Sequence, residues 1–357
     1  MAHTLRSSRQ TWMALSVCLA CSLGLGQIPT PPAATPAAPV ANPRPADLFV
    51  YYLGWRWSPG DRHRYDLEVR ESLEVSRESG SNESANSVAR WRVSDRVVGP
   101  ADSTTPDDGI VSVERTFDRV GFELRHPLMT GDEAVQFEIE QPGADEDVPA
   151  MFRSSARMVG RSLRFDVDSM GRVYDASYVD RDVAGVPPVE RWIPLLDGTM
   201  ALAPGADVVL GDTWTASMEL PLASGPLRVD RLSKLKSIRR GAGERVGVIS
   251  MLAEPMEAID QTQPPPVEVG RPRLDTYAEH GEAMFDLVRG HALRVQLKSL
   301  ARFRVRENDG SVTTHWLRRE INLERIDEAA KDSAEPRPNL GPSQAPSQAP
   351  SRAPSRE

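Results

Sequence analysis

The long segment beyond residue 26 contains no cysteine. Both cysteines, Cys18 and Cys21, lie before it, so the body has neither disulfides nor thiolate chemistry and must be held together by burial. Lysine is nearly as scarce. It occurs only at Lys234, Lys236, Lys298 and Lys331, and arginine carries almost all the positive charge. The arginines are scattered along strand-like segments rather than clustered. With a net charge of −8 and a pI of 5.5, no nucleic-acid surface is expected. Beyond the first 26 residues there is also no long apolar run, so no transmembrane segment is expected in the mature chain.

Recognisable catalytic and metal spacings are absent too. His63, His126, His280, His291 and His315 form no i, i+2 or i, i+4 pair, and isolated surface imidazoles are expected in place of a zinc site. Asp166-x-Asp168-x-x-Gly171 begins like a calcium loop. Its fifth position is Met170 and its twelfth Ser177, where oxygen ligands are needed, so a hairpin is the better reading. Gly241-Ala242-Gly243 lacks the third glycine of a dinucleotide fingerprint at the required spacing. No Gly-x-Ser-x-Gly elbow occurs. The chain is therefore expected to be non-enzymatic and to carry no cofactor.

What is present begins with an export signal at 1–26. Arg6 and Arg9 precede an apolar stretch from Trp12 to Leu25, and Gly24-Leu25-Gly26 supplies a small-x-small cleavage site. Neither Cys18 nor Cys21 sits in a good lipobox, so a lipid-anchored form at either is the minor alternative to a periplasmic or secreted protein. A Pro/Ala-rich linker at 27–48 follows. The far end, 329–357, repeats Ser-Gln-Ala-Pro and is expected to be disordered.

Between these ends the pattern is one of strands. Tyr65, Leu67, Val69, Leu73 and Val75 alternate with polar Asp66, Glu68, Arg70, Ser72, Glu74 and Ser76. Similar alternation recurs at 91–97, 111–124, 135–139, 163–173, 214–220, 246–248, 293–305 and 321–323, with a parity change that predicts a bulge near Asp118-Arg119. One dry face and one wet face imply antiparallel sheet. Short helices over 149–159 and 188–197 are expected to cover the dry face. The aromatics Phe49, Tyr51, Tyr52, Trp55 and Trp57 read as packing for the first strand, or alternatively as a sugar-stacking platform.

Two halves repeat a scheme. Gly60-Asp61 and Gly211-Asp212, the latter followed by Trp214, each open a strand; Phe165-Asp166 with Gly171, and Phe285-Asp286 with Gly290, each close a half at a hairpin. The expected fold is mainly β (α+β): two duplicated antiparallel β-meander sheets, at 49–198 and 199–328, with one or two covering helices.

This arrangement resembles a family of exported bacterial β proteins that carry aromatic-x-aromatic then Pro-Gly-Asp, and later Gly-Asp-x-Trp and Phe-Asp-x-x-x-Gly. The matching residues are Trp55, Trp57, Pro59-Gly60-Asp61, Gly211-Asp212-Thr213-Trp214 and Phe285–Gly290. The resemblance covers most of 49–326 and implies a shared scaffold with no catalytic residue to carry over. In architecture alone the chain is also similar to periplasmic lipoprotein carriers. The expected partner is an apolar or extended ligand, or an envelope protein. A purely structural assembly role and a cell-wall polymer hydrolase are the alternatives.

Overall fold

The computed structural model describes residues 49–326 apart from 78–79, 102–108, 126–134, 181–183, 201, 223–224, 241–243, 256–266, 268 and 271. The export signal, the linker and the Ser-Gln-Ala-Pro tail lie outside the described residues. So do the Gly241–Gly243 segment and His126.

Fourteen strands are described: β1 (Tyr51–Leu53), β2 (Arg62–Arg77), β3 (Asn82–Pro100), β4 (Val111–Arg125), β5 (Val135–Ile139), β6 (Ser162–Val167), β7 (Val173–Tyr178), β8 (Ala206–Val208), β9 (Thr213–Leu222), β10 (Gly225–Arg240), β11 (Arg245–Pro255), β12 (Arg273–Asp286), β13 (His291–Arg306) and β14 (Val312–Arg325). Two short helices, α1 (Arg153–Ala156) and α2 (Ile193–Met200), each follow a 3-10 turn, at Ala150–Phe152 and Val189–Arg191. The mainly β, antiparallel character and the two short helices agree with the alternation in the sequence.

The strands are not divided one sheet per half. A large antiparallel sheet runs β7-β6-β4-β3-β2-β14-β13-β12-β11-β10-β9, with β5 beside β4, and only β1 and β8 form a separate ribbon. The halves meet at a seam where β2 pairs with β14 from Arg77↔Thr313 to Tyr65↔Arg325. The chain thus starts in mid-sheet, winds out to β7, crosses through α2 and β8 to the opposite rim at β9, and winds back to the middle.

The sheet is strongly curved. Flat, β4 and β10 would lie about 34 Å apart, seven steps of roughly 4.8 Å. Yet the segment entering α2 touches both. Trp192 packs on Phe117 of β4, with ring centroids 4.7 Å apart, and the Gly198 carbonyl accepts a hydrogen bond from Arg231 of β10 at 3.1 Å. Six helical residues rise only about 9 Å, so the sheet must wrap around the helix. The expected bulge is present: Arg92 pairs with Arg119 and Val93 with Phe117, leaving Asp118 unpaired in the ladder. It returns Val120, Phe122 and Leu124 to the same concave face as Val113 and Phe117, and all five are buried.

The convex face carries ladders of charge, such as Arg92 on Asp66 at 2.9 Å and Arg90 and Arg70 on Glu68. Exposed cross-strand pairs of this kind contribute about 1 kcal/mol or less each. Most of the stabilisation comes from the concave face.

Candidate functional site

The residues singled out by the sequence motifs gather into structural work at one end of the sheet. The two Gly-Asp turns make the same four hydrogen bonds. Gly60 N–H donates to the Val97 carbonyl (2.9 Å), Val97 N–H to the Asp61 carbonyl (3.0 Å), and Asp61 N–H to the Ser58 carbonyl (3.0 Å). The Asp61 carboxylate then accepts from Ser58 N–H. Gly211 and Asp212 repeat this with Leu235 and Val209: 2.9, 3.0 and 3.1 Å through the backbone, and 2.8 Å to the carboxylate. Both glycines have positive φ, 89° and 95°, as such tight turns require.

The two hairpins after Phe165 and Phe285 clamp the segment between β1 and β2 from both sides. Trp55 N–H donates to the Ser169 carbonyl at 2.7 Å, and Arg56 N–H to the Gly290 carbonyl at 2.9 Å. Side chains at Gly171 or Gly290 would collide with Trp55 and the Met200 carbonyl, or with Arg56. Trp55 stacks on Trp57 and meets Phe285 edge-on, so these aromatics pack against the fold; Phe49 stays exposed. The two motifs are not equivalent in detail. Asp286 caps its own hairpin through Val288 and Arg289 N–H. In the first, Asp168 does so through Met170 and Arg172 N–H, while Asp166 accepts from Ser112. Trp214 is partly buried on β9, opposite Ser233 of β10, and packs against the core.

The histidines depart from expectation. His291 and His315 are buried, and His63 and His291 lie with ring centroids 4.9 Å apart. The strand curvature joins positions far apart in sequence, which spacing does not reveal. Burial, then the Arg325 guanidinium, holds both rings of the pair below the ordinary imidazole value, His291 at about 3. Among the described residues no three His, Cys, Asp or Glu side chains group closely enough to hold a metal.

A groove lies elsewhere, between the concave face and the two helical segments. The sheet contributes Val69, Ala89, Trp91, Phe122, Leu297, Ala301, Leu317 and Ile321; the cover contributes Pro187, Trp192, Pro194 and Leu195. Across this apolar lining runs a single polar row. Strand register aligns Ser87, Glu71, Arg319, Ser299 and Glu279 on five neighbouring strands, continuing through Ala253 to Arg231. The row is about 29 Å long, six interstrand steps of roughly 4.8 Å.

Its charges are matched in two groups. Arg319 donates to Glu71 at 2.7 Å. Arg231, fully buried at 0 % exposure, reaches past the small Ala253 to donate Nε and Nη2 to Glu279 Oε1 at 3.0 and 2.7 Å. The Tyr277 hydroxyl donates to Glu279 Oε2 at 3.1 Å. Burial, followed by the Glu279 carboxylate, pushes the Tyr277 hydroxyl far up and keeps it a donor. Arg231 also fixes α2, through Gly198. None of these residues belonged to the sequence motifs. Their signal is a charge that falls in phase with an apolar face: Glu71 shares the parity of Leu67, Val69 and Leu73.

No helix among the described residues is long and apolar enough to cross a membrane. No protein family profile matches the chain, and no curated protein matches it. A search of solved structures finds similarity to lipovitellin, described for lipid–protein interactions, at a TM-score of 0.41 and 9% identity, covering 76% of this chain and 26% of that one. The chain spans about a quarter of the length of that structure.

Proposed function

We propose that this is an exported, non-enzymatic protein of the bacterial envelope whose groove binds the apolar part of an extended small ligand. The reading is supported above all by the groove itself, an apolar trough between a curled sheet and a short helical cover. An apolar guest there would be sandwiched between Trp91, Phe122 and Trp192. Each methylene buried contributes about 0.8 kcal/mol. The two groove carboxylates, Glu71 and Glu279, are both held by guanidinium groups, a poor arrangement for a general acid or base. That weighs against the hydrolase alternative.

Titration with alkyl amphiphiles against a neutral fluorescent reporter such as Nile red tests this. Affinity is expected to rise roughly fourfold per added methylene until the groove is filled. Leu195→Arg, which puts a charge into the groove, is expected to abolish binding without unfolding the protein. Failure of every amphiphile to displace the reporter, or a flat dependence on chain length, would remove the proposal. Export is tested by fractionating cells that express the full chain; retention in the cytoplasm would refute it.

A further inference from the structure

The groove does not balance its charge. Among the described residues its lining holds three guanidinium groups, Arg191, Arg231 and Arg319, but only two carboxylates, Glu71 and Glu279. Arg231 and Arg319 are engaged by those carboxylates. Arg191 is not. It ends the 3-10 turn Val189–Arg191 beside the Trp192 cover, it is partly buried, and its Nε is buried without a hydrogen-bond partner among the described residues. A buried, unsatisfied guanidinium donor is costly unless something arrives to accept from it. In the same lining the polar row offers unused capacity: the Ser87 and Ser299 hydroxyls donate to nothing among the described residues.

We infer that the groove takes an anionic amphiphile, with Arg191 binding the acidic headgroup and the apolar lining taking the chain. This rests on the apolar-ligand reading above and adds the charge of the ligand to it. A guanidinium binds both carboxylates and phosphates by paired N–H donors, so a long-chain carboxylate and a monoalkyl phosphate share the required chemistry. A neutral alcohol of equal length would bury the same chain and leave Arg191 unsatisfied. In a protein of net charge −8, a locally cationic groove also selects against cationic amphiphiles.

The test compares hexadecanoate, hexadecyl phosphate, hexadecanol and hexadecylamine as displacers of Nile red, in the full chain and in Arg191→Gln and Arg191→Lys. In the native protein at least one of the two anions is expected to bind roughly tenfold tighter than the alcohol, and the tighter anion identifies the headgroup. Arg191→Gln is expected to bring anion and alcohol to near parity, while Arg191→Lys keeps part of the preference. The alcohol should bind Arg191→Gln at least as well as the native protein, which shows that the variant folds. Equal binding of alcohol and anions by the native protein would overturn the headgroup assignment and leave the apolar groove standing. An anion preference untouched by Arg191→Gln would overturn the role of Arg191. No displacement by any of the four would remove both readings.

Discussion

At the scale of single residues, two kinds of position decide stability. Gly171 has a φ of 84° and sits against the Met200 carbonyl and the Trp55 indole. Gly171→Ala is expected to cost more than about 2 kcal/mol in urea unfolding, from backbone strain and collision together. The buried titratable groups act with opposite signs. His291, held at about 3, and His315, held at about 4 by burial and Arg77, stay neutral in the fold but gain protons near 6.5 once unfolded. Their contribution is complete above pH 6.5 and is lost as the pH falls, toward 4 for His315 and toward 3 for His291. Asp197 is raised by burial to about 6, so the native state keeps a proton that the unfolded chain releases near 3.8. Its contribution therefore declines as the pH rises from 3.8 through 6. Asp197→Asn, which keeps an oxygen for the Val173 N–H, is expected to stabilise the protein at pH 7 by about 1–3 kcal/mol. The gain should vanish below pH 3.8. His291→Gln should flatten the loss between pH 6.5 and 3. Denaturation midpoints across that range check both signs. The turn and hairpin residues were legible at this scale because Gly-Asp and Phe-Asp with a following glycine follow local backbone rules. The groove residues were not, because a lone Glu71 in an apolar phase gains its meaning only from Arg319 on another strand.

At the scale of elements, period-two alternation exposed the strands and even the Asp118 bulge, since burial on one face imposes parity locally. It could not distinguish buried ion pairs from the convex ladders. Arg115 and Asp95 face each other in the core at 2.7 Å, both nearly inaccessible, whereas Arg92 and Asp66 lie on the wet face. Asp95→Ala is expected to cost about 3–5 kcal/mol, because it strands a buried guanidinium. Asp66→Ala should cost about 1 kcal/mol or less. Double-mutant cycles on each pair, measured by denaturant unfolding, separate the two cases. Equal couplings would contradict the burial difference.

At the scale of the whole molecule, the sequence reads as two halves with a common scheme of turns, and nothing in it says how they join. The seam pairs β2 with β14, and its Glu71–Arg319 bond links residues 248 positions apart. No local pattern specifies such a partner. Because β2 and β14 each lose a neighbour when the chain is cut in two, fragments 49–209 and 210–326 are expected not to fold separately. Mixed together, they should recover the native far-ultraviolet spectrum. Either fragment folding cooperatively by itself would show that the halves are autonomous.

The same seam governs how the protein would respond to tension. Tyr65, near the start of β2, is the register partner of Arg325, the last residue of β14, so once β1 and the clamped segment after it have given way, a pull on both ends loads neighbouring points at one end of the ladder. The hydrogen bonds would then break one after another, as in peeling, instead of sharing the load in shear. Stretched between its termini, this body should first release β1 from β8 and the clamped Trp55–Arg56 segment, and only then part in mid-sheet by peeling.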